Sequence, residues 1–395
     1  MMATSWPFLR LYALAFLFFS ANSILNVIVP LRSETLGASN TEIGFIMGVY
    51  MLTCMFCRPW AGHIVHKYGP IKVLRTLLIV NGLALMIYTV SGLEGFFAAR
   101  LLQGVATAFF SMALQMGIID SLPEKERSQG VSLYSLFTYL PTVIGPLIAL
   151  GIWEWGGMNA FTIAMVGIAL TTALFGYGTD MQQQQLSQLE EKDKHTGTGF
   201  ITSFHQLVTN PQLSTSSLIM LMTSVVFGAV TTFIPLYANQ MEHGNAGIYL
   251  MLQAGTIVLA RFTLRKRIPS DGQWHPKLIV GVIILIAIAA QLLASTSILG
   301  SFVMYVAAVI MGLAQAIVYP TLMTFLTFTL TSANRNVLIG LFIAMADLGI
   351  SLGGIAMGPI ADRFSYSTMY TCCAGMAVGL ALFAYWRGKK LRVKI

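Results

Sequence analysis

The chain has 395 residues, 56% of them hydrophobic and 10% charged, with a formal net charge of +8 at pH 7. Soluble globular domains carry about 25% charged residues, so this composition excludes a water-soluble enzyme or binding module and describes a protein that lives in a bilayer. The surplus of Lys and Arg does not mark a nucleic-acid binder, because it falls in short loops between apolar segments.

A spanning helix needs about 20 apolar residues. Apolar runs punctuated by turn residues and charge predict twelve such helices, at 10–30, 42–62, 72–91, 95–119, 130–153, 157–177, 214–238, 246–266, 277–297, 299–328, 336–361 and 367–387. The first run is of full spanning length, so it reads as a membrane helix and not as a cleavable signal. It carries Asn22 and Asn26, four residues apart and therefore on one helix face. The second carries Tyr50, Cys54, Cys57 and Arg58. Cys54 and Cys57 have redox spacing but lie inside an apolar helix, as Cys372 and Cys373 do, so all four read as packing residues. The fourth carries Arg100, Gln103, Gly104 and Gln115, and ends at Asp120. The fifth, with Tyr134, reads "YLPTVIGPLIALG" through Pro141, Gly145, Pro146 and Gly151. Prolines remove backbone donors and bend the helix, and the glycines are expected to admit neighbouring helices closely.

The polar stretch from Asp180 to Gly199 reads as a flexible linker. It divides the chain into an N-terminal six-helix bundle (1–178), a linker (179–212) and a C-terminal six-helix bundle with a basic tail (213–395). Gln253 and Arg261 lie in the eighth span, Gln315 and Tyr319 in the tenth. The eleventh holds Asp347, the one acidic residue predicted at mid-membrane. Most Lys and Arg fall in loops on one side, with Arg32 and Arg363 opposite them. By the positive-inside rule both termini and the linker are expected in the cytoplasm.

The halves repeat each other in order. Gly44, Arg58 and Gly69 match Gly247, Arg261 and Gly272 at an offset of 203, and Gly104 and Arg127 match Gly312 and Arg335 at 208. Parallel repeats of this kind belong to transporters that work by alternating access, with two bundles related by a pseudo-two-fold axis.

The loop after the second span reads "RPWAGHIVHKYGPIKVLR", in which Gly62 and Gly69 are expected to allow a close helix contact and a tight turn. Gly62, Lys67 and Gly69 in that loop, Arg100-x-x-Gln103-Gly104, and Gly145-Pro146 together resemble the signatures of the major facilitator superfamily, over the whole chain. The resemblance implies an all-α membrane fold of twelve helices in two six-helix bundles. It is strongest to the twelve-helix drug:proton antiporters, and looser to exporters of staphylopine-like opine metallophores through "FFSANSILNVIVPLR", "RPWAG" and "LPEKERSQGVSLYS". One position departs from the family pattern: His66 stands where the loop signature has Asp. That Asp usually belongs to a charge-relay lock, so the standard lock is in question here.

These residues divide into expected roles. Asp347 is the candidate for proton coupling, against a protonated structural Asp bonded to a neighbouring helix. Arg100 is a candidate for an anionic substrate group or for tuning a proton carrier, against a structural Arg satisfied by helix carbonyls. Asn22, Asn26, Gln115, Tyr134, Gln253 and Tyr319 are further substrate candidates, and Tyr12, Tyr50 and Gln315 could join them. Arg58 and Arg261, read as lying near the cytoplasmic ends of their helices, are expected at a gate with Gly62, His66, Lys67, Gly69, Asp120, Gly145 and Pro146. No Walker loop, nucleophilic triad or metal-ligand cluster is present in the sequence, so neither enzyme activity, ATP nor a cofactor is expected. The expected partners are a small-molecule substrate, protons and the lipid of a bacterial cell membrane, with the protein acting as a monomer. The expected function is proton-coupled export, with an opine metallophore as the substrate. The alternatives are a multidrug antiporter, a nutrient importer, and a transport-inactive receptor.

Overall fold

The computed structural model describes residues 2–178, 207, 209–264, 272–330 and 335–392, and among these the regular structure is entirely helical. The helices are α1 (Trp6–Thr35), α2 (Asn40–Tyr68), α3 (Pro70–Val90) and α4 (Leu93–Ser121), followed by one run, Glu124–Tyr177. A straight helix of 54 residues would be about 80 Å long, against a hydrocarbon core of about 30 Å. The run is broken at Gly157, whose φ of 51° and ψ of −134° lie outside helical space. It therefore comprises two spans, α5 (124–156) and α6 (158–177). Then come α7 (Pro211–Asn239), α8 (Ala246–Thr263), α9 (Pro276–Leu299), α10 (Ser301–Thr329), α11 (Arg335–Arg363) and α12 (Tyr366–Arg392). Among the described residues each of the twelve expected spans has its helix, and the break at Gly157 falls at the expected start of the sixth. The polar stretch from Asp180 to Gly199 lies outside the described residues.

Local chemistry sets the helix starts. Pro70, Pro211 and Pro276 open their helices, where a missing N–H costs nothing. The Asn210 side chain accepts from the Gln212 and Leu213 N–H groups at 3.0 and 3.2 Å, and Asn245 accepts from Ile248 at 2.9 Å. Gly69 and Gly272, matched in the sequence repeat, both have positive φ (82° and 69°), which glycine adopts without steric cost.

The chain forms two compact units. Unit 1 holds Met1–Ala38 and Phe45–Leu189. Its core is built on α1, α3 and α4, with Phe18 stacked on Phe110 at 3.8 Å between centroids. Unit 2 holds Ser39–Gly44 and Glu190–Ile395.

The repeat is legible in the packing within each unit. A Cβ on Gly104 of α4 would strike the Tyr50 carbonyl and Thr53 of α2. A Cβ on Gly312 of α10 would strike the Gln253 carbonyl and Thr256 of α8, the positions related by the repeat. Gly145 of α5 lies against Ser23 of α1, and Gly353 of α11 lies against the Val225–Gly228 backbone of α7. The Ser23 hydroxyl also donates to the Pro141 carbonyl at 2.8 Å. Two expectations are corrected. Added Cβ atoms on Gly62 and Gly151 would meet nothing, so neither glycine mediates close helix contact.

In unit 2 the start of α2 is capped twice over. Ser39 and Glu42 form a reciprocal capping box: the Ser39 N–H donates to the Glu42 carboxylate at 2.8 Å and the Glu42 N–H donates to the Ser39 hydroxyl at 3.2 Å. The next orphan donors, the N–H groups of Asn40 and Thr41, donate to Asp362 of α11 at 2.7 and 2.8 Å. Gly354 and Gly358, at four-residue spacing before Asp362, let the two backbones meet.

This packing sets the expected cost of substitutions. Gly104→Val and Gly312→Val should each destabilise the purified protein by about 1–3 kcal/mol through overpacking against backbone, seen as a lower Tm, whereas Gly151→Ala, whose Cβ meets nothing, should not lower Tm and should raise it slightly through better helix propensity. Asp362→Ala should cost about 1 kcal/mol, the usual worth of a helix cap, and faster hydrogen exchange should be confined to the first turn of α2.

Candidate functional site: a buried guanidinium in unit 1

Arg100 lies eight positions into α4 and is fully buried, at 0% exposure. A cation in that position is costly unless hydrogen-bonded or paired. Each of its hydrogen-bond partners is neutral. Nη1 donates to Asn22 Oδ1 at 3.2 Å and to Gln103 Oε1 at 3.5 Å. Nη2 donates to Asn26 Oδ1 at 3.1 Å and to the Met47 sulfur at 3.3 Å. The guanidinium carbon lies 5.5 Å from the Tyr50 ring centroid, a cation–π distance. Nε is buried and has no partner.

Each partner is placed by helix periodicity. Asn22 and Asn26 sit one turn apart on α1 and take one guanidinium nitrogen each. Gln103 follows Arg100 by three residues on α4, and its amide oxygen also accepts from the Tyr88 hydroxyl at 3.1 Å. Met47 and Tyr50 are three residues apart on α2. Asn22 donates to the Tyr50 hydroxyl at 3.0 Å, and that hydroxyl donates to Thr107 at 3.2 Å. The network thus ties α1, α2, α3 and α4 around one positive charge. Asn22 and Asn26 are only partly buried, whereas the guanidinium they hold is fully buried.

The other candidates separate from this cluster. Gln115 is exposed on α4 and takes no part in it. The Tyr134 hydroxyl of α5 donates to the Ser111 carbonyl at 3.4 Å. Tyr12 is buried beside Phe137, with ring centroids 5.8 Å apart and its hydroxyl unpartnered. Arg58 was expected near a helix end. It lies ten residues before the end of α2, partly buried, and acts electrostatically on Tyr50 and Tyr134. Its repeat mate Arg261 is exposed, two residues from the end of α8. The pair therefore does not share one position along its helix, because α2 continues well past its arginine and α8 does not. His66 is partly buried and Lys67 exposed, its ammonium 5.3 Å from the Tyr68 ring centroid. Asp120 is partly buried one residue before the end of α4. Pro146 sits inside α5 beside Gly145.

In unit 2, Gln253 donates to Gln315 at 3.1 Å, joining α8 to α10. These are the repeat mates of Tyr50 and Thr107, whose hydroxyls bond in unit 1. Tyr319 stacks on Phe342, with ring centroids 6.1 Å apart. Asp347 is buried at 6% exposure in the middle of α11 and is engaged by a neighbouring group. Among the described residues, no group of three His, Cys, Asp or Glu side chains is arranged to hold a metal ion. Met47 was not foreseen as a site residue. Its only sequence signal was its place on the Tyr50 face of α2.

Comparison with known proteins agrees with this architecture. The chain is 52% identical to the staphylopine export protein of Staphylococcus aureus over 383 residues, covering 97% of this chain and 96% of that one. It is 22% identical to an uncharacterized MFS-type transporter of Methanocaldococcus jannaschii, over 91% and 92% of the two chains. Among solved structures it superposes on the nucleoside transporter NupG with a TM-score of 0.77 at 16% identity, covering 97% of this chain and 99% of that one. It also superposes on a bacterial homolog of the human lysosomal transporter Spinster, inward-facing and unoccupied, with a TM-score of 0.75 at 16% identity, over 99% and 98%. Both structural matches speak to the fold alone. The family profile of the Major Facilitator Superfamily matches residues 11–354, and the chain is a multi-pass membrane transporter of that superfamily.

Proposed function

We propose that this transporter exports an opine-type metallophore from the bacterial cytoplasm by proton-coupled alternating access. The observation that carries the reading is the Arg100 site: a fully buried guanidinium whose hydrogen-bond partners are all neutral and whose Nε is unfilled. Retaining such a charge within a membrane helix is costly, and an anionic group arriving with the substrate offsets that cost. A carboxylate suits it, because the planar guanidinium offers paired donors that match two carboxylate oxygens. The 52% identity to a staphylopine export protein supports the substrate class and the direction. A lipophilic-cation antiporter would instead call for acidic and aromatic groups at this position.

Proton coupling is assigned to Asp347, a buried carboxyl in the middle of α11. A carboxyl that loads a proton from one side and releases it to the other converts the proton gradient into substrate movement. The basic loops support a cytoplasmic position for both termini and the linker. The two six-helix halves are the bodies that alternate around the substrate.

Two measurements in proteoliposomes check this reading. Arg100→Gln should weaken staphylopine binding by a factor of about ten or more, as loss of a buried charge-assisted contact does, and should leave transport of a lipophilic cation unaffected. Unchanged staphylopine binding in Arg100→Gln would overturn this reading of the site, and gradient-driven transport of the lipophilic cation without any of staphylopine would favour the multidrug reading. Asp347→Asn should bind staphylopine normally and lose accumulation driven by a pH gradient. Gradient-driven accumulation equal to the native protein's would put the proton carrier elsewhere.

A further inference from the structure

The four Nη donors of Arg100 are each taken, but not by equal acceptors. Three go to amide oxygens of Asn22, Gln103 and Asn26. The fourth goes to the thioether of Met47, a weak acceptor. Nε carries the fifth donor and has nothing. In a guanidinium, Nε and Nη2 share one edge, and that edge grips a carboxylate side-on with two parallel hydrogen bonds. The weakly held and the empty donor of Arg100 belong to these two atoms. The opposite nitrogen, Nη1, is committed to two amides.

We propose that Met47 is the placeholder of this site: in the empty protein its sulfur fills the seat of one carboxylate oxygen on the Nε–Nη2 edge, and the substrate carboxylate displaces it. The assignment rests on the reading of Arg100 as the anion site. Methionine is suited to this role for two reasons. Its unbranched side chain has three rotatable bonds and refits neighbouring space easily. Its sulfur partly satisfies a donor that would otherwise be buried bare, yet is a poor rival to a carboxylate. Met47 is 9% exposed and comes from α2, whereas Asn22 and Asn26 come from α1 and Gln103 from α4. Its departure therefore leaves the other three contacts in place. Asn22, Asn26 and Gln103 hold the guanidinium plane, and Met47 sets how readily its open edge accepts an anion.

Titration calorimetry of the purified full-length protein with staphylopine tests this. Met47→Leu keeps the volume and removes the acceptor, so the empty site is less well satisfied. Its affinity should rise, on the order of fivefold for one weak contact to a charged donor. Met47→Glu supplies a resident carboxylate to the same edge and should lower affinity by at least about tenfold. If Arg100→Gln loses binding while Met47→Leu and Met47→Glu bind as the native protein does, the carboxylate sits elsewhere on the guanidinium and the placeholder is refuted. If Arg100→Gln itself binds staphylopine normally, the reading of Arg100 as the anion site fails instead. Should Met47→Glu not yield a monodisperse protein, Met47→Leu decides alone, and an unchanged or weakened affinity overturns the proposal.

Discussion

A positive charge that cannot leave its helix bundle is the constraint around which unit 1 is built. Arg100 is sealed from water, so α1, α2 and α4 must each turn a polar or polarizable group inward to meet it. Those groups fix rotation: Asn22 and Asn26 define the inward face of α1, Met47 and Tyr50 that of α2. Gly104, one turn after Arg100, lets α4 approach the Tyr50 carbonyl closely enough for the network to close. Packing and electrostatics are thus one problem here. The same glycine that brings two helices together brings the aromatic face of Tyr50 to the guanidinium. Because the acceptors are amides, a sulfur and a ring, the charge is solvated without being neutralised. A resident carboxylate would stabilise Arg100 more strongly and would also close it to any anion.

The internal repeat separates scaffold from chemistry. Gly104 and Gly312 solve the same packing problem in the two units, and the helix pairs α1–α5 and α7–α11 repeat the close approach of a glycine to its neighbour. The Tyr50–Thr107 bond of unit 1 returns as Gln253–Gln315 in unit 2. The charges do not repeat. The position matching Arg100 is Ala308, and the position matching Asp347 is Tyr139. Each half keeps the parts that let helices meet, while among the described residues the buried arginine lies in one half and the buried aspartate in the other. In the proposed cycle, substrate and proton would be handled by different halves.

The twelve spans were legible because apolar length in a bilayer leaves few alternatives. Gly157 supplied the break that composition alone placed only approximately. The Arg100 site was legible in part: an isolated arginine inside a span, and two asparagines four residues apart, are signals that helix periodicity makes readable. Met47 was not, since a methionine in an apolar helix looks like every other packing residue until its sulfur is found on a guanidinium. Glycines were read too generously. Spacing shows that a helix could be approached at Gly62 or Gly151 but not whether any neighbour comes there. Arg58 was misplaced along its helix because α2 overruns the length a bilayer requires, and sequence gives no sign of where along such a helix the membrane ends.

The central claim, that Arg100 exists to receive a substrate carboxylate, is tested most directly by a structure of the protein with staphylopine bound. The account predicts a ligand carboxylate within about 2.7–2.9 Å of Arg100 Nε and Nη2, with the Met47 sulfur moved away and Asn22, Asn26 and Gln103 still in place. A structure with ligand bound elsewhere, and the guanidinium still held by Met47 with Nε empty, would contradict it.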